Sequence, residues 1–205
     1  MTPAVHMSWK WLVLAATLAG GWHWWTLERP VPRAAGALAP APPQQVDLDP
    51  PDRFERNGFR FVGRARYEVV ARVLRKEVYR FDGAAGLAPV DLALGWGRMS
   101  DSTVLEQLAI TQMGRFFYWR PKNPRTFTVP ADALVTEVGQ VHAIPGNPAI
   151  EQRLRRLRPG EVVVMRGYLV DVDGPAGFTW RTSLTRNDTG DGACEIMWIE
   201  SLDVR

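Results

Sequence analysis

The sequence contains very little thiol and imidazole chemistry. Cys194 is the single cysteine, so no disulfide within the chain and no cysteine-based zinc site can form. Of the three histidines, only His142 lies beyond the N-terminal segment. Catalysis by a cysteine activated by a histidine is therefore confined to the pair Cys194 and His142.

A strong charge of one sign is also absent. The formal net charge is +3, and the fractions of charged (23%) and hydrophobic (46%) residues are those of an ordinary globular protein. The basic excess is local: residues 52–80 hold nine Arg or Lys and four Asp or Glu, whereas the rest of the chain to Arg205 is nearly neutral. This distribution argues against a nucleic-acid partner, and we expect none.

One long run without charge lies near the N-terminus. Trp11 to Leu27 contains no Asp, Glu, Lys or Arg, and as a helix it would extend about 25 Å. Five of the nine tryptophans flank it, as in the aromatic belts of membrane helices. The pattern predicts a transmembrane helix in residues 1–27, with residues 9–27 in contact with the lipid bilayer. We therefore expect a single-pass protein of a bacterial inner membrane, with the following domain in the periplasm. Lys and Arg are nearly balanced on the two sides of the segment, which leaves a cytoplasmic domain as the alternative.

Proline divides the chain into three parts. Residues 28–51 contain seven prolines, which fix φ and remove backbone donors, and this composition predicts an extended Pro/Ala-rich linker. A cleaved signal peptide is the alternative to the anchor, but its small-residue site, 34–39, would lie beyond Pro30 and Pro32. The remaining residues, 52–205, are expected to form a single α+β domain.

The domain pattern combines short helices with antiparallel strands. Two short helices are predicted, one over residues 104–109 and one that begins after the cap residue Asn147, with Pro148 at its first position. Alternating apolar and β-branched residues predict the strands, which are residues 66–81, 115–119, 161–172, 178–185 and 194–202. Together they predict a small antiparallel sheet that forms a partly closed barrel.

Two chemical sites can be considered in this pattern. Cys194 with His142 could serve a thiol-dependent hydrolase or transferase, although a free cysteine in phase with apolar strand residues is more often part of a core. Asp188, Asp191 and Glu195, with Asp173, could offer oxygen ligands to calcium, but their spacing does not fit an EF-hand, and Asn, Asp and Gly are ordinary turn residues. We predict no metal and no cofactor.

A polar groove is the favoured binding site. Its expected residues combine polar side chains with an aromatic wall; they are Trp96, Asp101, Ser183, Arg186, Asp188 and Glu195. The loop 186–192 is longer than a simple hairpin requires. In it, Asp188 is expected to accept backbone hydrogen bonds, and Arg186 to pair with Glu195 or Asp101.

Three segments resemble a known family. The run SLTRNDTGDGACE from Ser183 to Glu195, the run GWGRMSD from Gly95 to Asp101 and the run HAIP from His142 to Pro145 are similar to signatures of a family of bacterial membrane-anchored proteins. The resemblance implies one folding unit over about residues 90–203 and carries no activity with it. The sequence thus predicts a membrane-tethered, non-enzymatic binding or assembly module for a protein partner or an envelope ligand, with the thiol enzyme as the alternative.

Overall fold

The computed structural model describes residues 9–185 and 193–205, and for residues 23–28 the backbone alone. Within these ranges the chain is mixed α+β and mostly sheet. The helices are α1 (Trp9–Glu28), α2 (Ser102–Leu105), α3 (Ala131–Val135) and α4 (Pro148–Arg156). The strands are β1 (Gln44–Arg56), β2 (Phe59–Val78), β3 (Val90–Gly95), β4 (Leu108–Met113), β5 (Phe116–Pro121), β6 (Val138–Pro145), β7 (Val162–Asp173), β8 (Thr179–Trp180) and β9 (Glu195–Val204).

Five of these strands form a ring. Hydrogen bonds join β2, β3, β6, β9 and β7 in this order, and β7 pairs with β2 again. Every neighbouring pair in the ring is antiparallel except β6 with β9, which are parallel. Helix α4 connects β6 to β7. This arrangement is a five-stranded Greek-key barrel, and it confirms the predicted α+β class and the partly closed barrel.

Strand β2 is long enough to serve three neighbours. Residues 59–68 pair with β1, residues 60–72 pair with β7, and residues 72–78 pair with β3. Buried Ala65, Tyr67 and Val69 alternate with the exposed side chains of Arg64 and Arg66 along it. That period of two is the reason why this segment is a strand, as predicted, although its apolar residues also fit a helical stripe.

The core fills the inside of the ring. Its residues come from every strand of the ring, and Leu92, Leu94, Val141, Met165 and Met197 are each at most 1% exposed. A second apolar cluster, with Ile196 and Trp198, lies on the opposite face of β9. The predicted alternation of β9 is confirmed for residues 196 and 198 opposite 197 and 199, whereas Cys194 lies before the strand begins.

A hairpin is inserted between β3 and β6. Strands β4 and β5 pair only with each other among the described residues, and Gly114, with a φ of +57°, occupies the tight turn between them. Ala93 of β3 belongs to the same buried cluster as Leu108, Ile110 and Trp119 of the hairpin. The predicted aromatic strand 115–119 is thus confirmed as β5, and it lies over the outer face of the barrel.

Helix α4 has the predicted start. The Asn147 side chain accepts a hydrogen bond from the backbone N–H of Ile150 (3.0 Å), and Pro148 is the first helical residue. Ile150 and Leu154 are buried, and Arg155 forms the expected pair with Glu151 at 2.8 Å. The shorter α2 replaces the predicted helix 104–109, and the five residues of α3 carry too little periodicity to be predicted.

Helix α1 does not support the predicted anchor. In the described part of the chain, no helix is both long enough and apolar enough to cross a membrane. The prediction of a membrane-spanning helix in residues 1–27 is therefore not supported. The physical reason is composition: Gly20, Gly21, Trp22, His23 and Trp24 contribute much less apolar transfer energy than the Leu and Val residues before them.

The proline-rich segment is packed against the barrel and does not extend freely. The N–H of Val31 donates to the carbonyl of Pro159 (2.7 Å), and Ala39 is 1% exposed within the main core. Strand β1 begins at Gln44, inside the predicted linker, and its register shifts between Asp47 and Asp52, around the prolines. Proline is tolerated at such an edge because the missing donor faces away from the neighbouring strand.

The C-terminal meander is also modified. Of the predicted strand 178–185 only two residues, β8, pair with β7. Strand β9 pairs directly with β7 and lies parallel to β6, so the three segments are not a simple meander.

Candidate functional site

A buried carboxylate and an imidazole lie side by side on the outer face of the barrel. Asp91 of β3 is opposite His142 of β6, and their side chains are 0% and 5% exposed. His142 Nδ1 lies 2.9 Å from Asp91 Oδ2, but the direction between the groups does not satisfy a hydrogen bond. The imidazole and the carboxylate are therefore in close contact without a hydrogen bond between these two atoms.

Arg115, in the turn of the hairpin, reaches both this carboxylate and a second one. Its Nη1 lies 2.9 Å from Asp91 Oδ1, while its Nε and Nη2 donate to the two oxygens of Asp82 at 2.9 and 2.8 Å. Its Nη2 also donates to the carbonyl of Ala88 (3.1 Å). Burial would raise the pKa of Asp82, but the hydrogen bonds and charge of Arg115 hold it below its usual value. One guanidinium thus joins the hairpin turn, the β2–β3 loop and β3.

Two aromatic rings enclose the guanidinium. The Arg115 Cζ atom lies 4.1 Å from the ring centroid of Tyr79 and 5.5 Å from that of Trp180. The Trp180 ring also lies 4.6 Å from the His142 ring, and the Tyr79 hydroxyl donates to the carbonyl of Gly114. Burial, followed by the negative charge of Asp91, raises the pKa of Tyr79. Together these groups hold the turn of the hairpin against the barrel.

Two glutamine amides lie in the layer between hairpin and barrel. Gln140 of β6, 5% exposed, is opposite Ala93, and Gln112 of β4 shares the inward phase of Ile110. Within residues 9–185 and 193–205, neither amide has a hydrogen-bond partner for its buried nitrogen and oxygen. Such groups can bind a small polar molecule or water, and they cost stability when left alone.

The other face of the hairpin is exposed and apolar. Met113 of β4 is 73% exposed, and Phe116 and Tyr118 of β5 are 37% and 52% exposed. Phe81, at 97%, immediately precedes the Asp82 that binds Arg115. We call Met113, Phe116 and Tyr118 the hairpin face. A contiguous exposed apolar surface of this kind is typical of an interaction site.

The structure brings two of the predicted binding residues together. A Cβ atom on Gly139 would lie 3.3 Å from the Trp96 ring and 3.4 Å from Glu195 Oε2, so both side chains flank this glycine at one end of the barrel. Both are nearly buried, at 2% and 5% exposed. The Trp96 indole N–H donates to the carbonyl of Thr136 (3.1 Å), so the ring is held as part of the core.

Two further predicted residues stabilise local structure. Asp101 caps α2 by accepting from the N–H of Thr103 (2.8 Å), and it also accepts from the N–H of Gly36 (3.0 Å). These hydrogen bonds lower the pKa of Asp101. Ser183 is 6% exposed, and its hydroxyl exchanges hydrogen bonds with the backbone of Thr185.

The remaining loop residues cannot be placed. Arg186, Asp188 and Asp191 lie outside the described residues, so the predicted pairing of Arg186 stays a prediction. Asp173 binds Arg181 at 2.6 Å. Among the described residues no group of three or more His, Cys, Asp or Glu side chains could hold a metal ion.

Cys194 lies just before the strand that pairs with the strand of His142. Ile196 of β9 is opposite His142, and the partly exposed Cys194 immediately precedes the first residue of β9, Glu195. The contribution of Cys194 and His142 to catalysis stays a prediction.

Sequence reasoning missed Asp91, Arg115 and Tyr79. One signal was present: Asp91 is a single charge in the apolar run Val90–Gly95, and a lone charge in a buried strand requires a partner. Its partner comes from a hairpin turn 24 positions later, and no local pattern indicates which of many arginines will reach it.

Comparisons with models of protein families, with curated proteins and with solved structures find no match for this chain. The resemblance of the segments 95–101, 142–145 and 183–195 to a family of membrane-anchored proteins therefore stays a prediction.

Proposed function

We propose that this protein is a non-enzymatic binding module that holds a protein partner on the hairpin face. The observation that carries the proposal is the attachment of the hairpin. Arg115 fixes the turn to buried Asp91 at 2.9 Å, while Met113, Phe116 and Tyr118 point away from the barrel and stay exposed. A rigidly held apolar surface loses little conformational entropy on binding, which favours affinity.

The barrel topology supports this location. Five-stranded Greek-key barrels of the OB type bind ligands on the face of their second and third strands. In this chain those strands are β3 and β6, and their outer face is covered by the β4–β5 hairpin. The inserted hairpin would then replace the usual ligand surface by one of its own. This step is a fold-level analogy, and the exposed residues carry the argument.

The charged groups support binding more than catalysis. Asp91, Asp82 and Arg115 are engaged with each other, and Trp180 lies against the His142 ring. In this network the charged groups bind each other and fix the hairpin, whereas an acid–base site needs a group that can contact a substrate.

Photocrosslinking in the cells that make the protein tests the proposal. With p-benzoylphenylalanine at Tyr118 we expect a discrete adduct, which is lost when Phe116→Glu is added. The same probe at Thr179, an exposed position of β8, should give no such adduct. The absence of any adduct specific to Tyr118, or an adduct that survives Phe116→Glu, would refute the proposal.

A thiol-dependent enzyme is the second candidate, because Asp91 lies beside His142 and Cys194 immediately precedes β9, which pairs with the strand of His142. If His142 activates the thiol, alkylation of Cys194 by iodoacetamide at neutral pH should be fast and should slow at least about tenfold in His142→Gln. Slow labelling that is unaffected by His142→Gln would exclude this candidate. Circular dichroism of the variant would check that it is folded.

A further inference from the structure

The outer edge of β5 has the properties of an acceptor for an additional strand. In the part of the chain that the structure describes, β5 pairs with β4 and with no other strand. Met113 and Phe116 close a two-residue turn and therefore face each other across a hydrogen-bonded pair. Successive N–H groups of a strand point to opposite edges, so the N–H groups of Phe117 and Trp119 point away from β4, toward the open edge. These two N–H groups take no part in the pairing with β4, and β5 pairs with no further strand among the described residues.

The other edges among the described strands are protected or occupied. The outer edge of β4 meets Arg75 of β2, whose Nε donates to the carbonyl of Ile110 (2.9 Å). The edge strand β1 contains Pro50 and Pro51 and charges of both signs, and β8 has only two residues. Proline, charge and shortness are the usual devices against edge pairing. By contrast, β5 begins with Phe-Phe-Tyr-Trp and reaches its first charge at Arg120. Its sequence favours pairing.

The charge of the hairpin defines the chemistry of the added strand. Residues 108–130 contain no Asp or Glu, and besides Arg115, which pairs with Asp82 and Asp91, they contain Arg120, Lys122 and Arg125. A second copy of this chain at the same edge would bring two such basic segments together, which like-charge repulsion disfavours. An acidic segment is complementary to this edge.

We propose that β5 receives an extended acidic segment of a partner protein as an added antiparallel or parallel strand. This inference rests on the proposed function and specifies the partner. Backbone hydrogen bonds to Phe117 and Trp119 would supply affinity. Because Phe116, Tyr118 and Arg120 share one face of β5, the side chains on one face of the segment would contact all three, and Arg120 favours carboxylates on that face.

A peptide fits this surface better than single-stranded nucleic acid. Nucleic acid requires several free cations along the strand, because phosphate neutralisation dominates its affinity. Arg115 is bound to Asp82 and Asp91, and Lys122 Nζ donates to the carbonyl of Glu106 (2.7 Å). The single cation of β5 is Arg120, which lies in the phase of the exposed aromatic residues.

The test uses the full chain and the fluorescent peptide acetyl-Glu-Val-Glu-Phe-Glu-Val-Glu-amide. We expect saturable binding below about 1 mM, and at least about tenfold weaker binding of the peptide with Lys in place of Glu. Phe116→Ser and Arg120→Gln should each weaken binding several-fold, whereas the control Arg60→Gln, an exposed arginine of β2, should not. Oligo-dT that binds more tightly than the acidic peptide, or self-association that excludes the peptide, would overturn the inference.

Backbone modification of the peptide distinguishes strand addition from electrostatic attraction without backbone pairing. Successive N–H groups of a strand point to opposite edges. The Val and Phe positions form one alternate set and the Glu positions the other. N-methylation of the set whose N–H groups face β5 should abolish binding, whereas N-methylation of the other set should be tolerated. Equal effects of both patterns would overturn strand addition. If Tyr118 crosslinks a cellular partner but the acidic peptide neither binds nor competes, the proposed function stands and this inference fails.

Discussion

Arg115 and Asp91 form an ion pair that joins an inserted hairpin to the barrel. The Nη1–Oδ1 distance is 2.9 Å, the Asp91 side chain is 0% exposed, and the Arg115 side chain is 17% exposed. Because a buried carboxylate is costly without a cation, the hairpin position and the stability of β3 are coupled. The hairpin is therefore held by a specific contact and by the apolar cluster beneath it.

The first prediction concerns this pair. Arg115→Met should lower the free energy of unfolding by about 3 kcal/mol, because it leaves the buried Asp91 carboxylate without its guanidinium partner. The double variant Asp91→Asn with Arg115→Met should recover part of the loss. Arg181→Met is the matched control, since its pair with Asp173 is largely exposed and should contribute less than about 1 kcal/mol. Urea unfolding measures all of these, and equal losses for Arg115→Met and Arg181→Met would contradict the coupling.

The second prediction concerns pH and Asp101. Hydrogen bonds from Thr103 and Gly36 lower the pKa of Asp101, so its contribution to stability is present above the unfolded pKa of about 3.9. It is lost as the pH falls through the lower folded pKa. At pH about 7, Asp101→Ala should cost about 1 kcal/mol, and this difference from the wild type should shrink below pH about 4.

Asp203→Ala, at an exposed position, is the control for Asp101, and it should have little effect at any pH. Urea unfolding at neutral and acidic pH measures both variants. A loss for Asp101→Ala that is equally large in acid would show that its carboxylate does not act through its charge.

The third prediction concerns Gly95. A Cβ atom at this position would lie 2.3 Å from the carbonyl oxygen of Met99, so the backbone of the following turn requires glycine here. Gly95→Ala should lower the free energy of unfolding by more than about 2 kcal/mol. In Gly86→Ala the new Cβ meets nothing within 4 Å, and this control should change stability by less than about 0.5 kcal/mol. A neutral Gly95→Ala in thermal and urea unfolding would contradict the close approach.

Local patterns predicted much of the fold. The Asn147-Pro148 start of α4 and the aromatic β5 follow from caps and from alternation, which act within a few residues. The parallel pairing of β6 with β9 could not be predicted in this way, because it joins segments more than 50 positions apart. Its partners are chosen by how the whole sheet closes, which no short window contains.

The candidate site was harder to predict for the same reason. Trp96 and Glu195 were expected near a ligand, and the structure brings them together around Gly139, but at a buried end of the barrel. Asp91 and Arg115 were missed because their pairing depends on where an insertion folds back. The exposed Phe116 and Tyr118 differ from the inward Phe117 and Trp119 only by strand phase, and that phase depends on which face meets the barrel.

The last prediction concerns the segment before β1. Removal of residues 1–28 should leave the free energy of unfolding within about 0.5 kcal/mol of the full chain, because the packed segment begins after α1. Removal of residues 1–43 deletes the buried Ala39, the hydrogen bond from Val31 to Pro159 and that from Gly97 to Ala39. With each hydrogen bond worth about 1 kcal/mol, the loss should reach at least about 3 kcal/mol.

Point variants in the full chain separate the contribution of packing by this segment from the effect of shortening the chain. Ala39→Asp places a charge in the core and should be strongly destabilising, whereas Ala37→Asp, at an exposed position of the same segment, should be near neutral. Urea unfolding of the two truncations and the two variants measures the contribution. Equal stability of both truncations, with a harmless Ala39→Asp, would mean that the proline-rich segment acts as a free spacer. The larger loss for the longer truncation would instead make residues 29–43 part of the folding unit, because their backbone and Ala39 complete one end of the barrel.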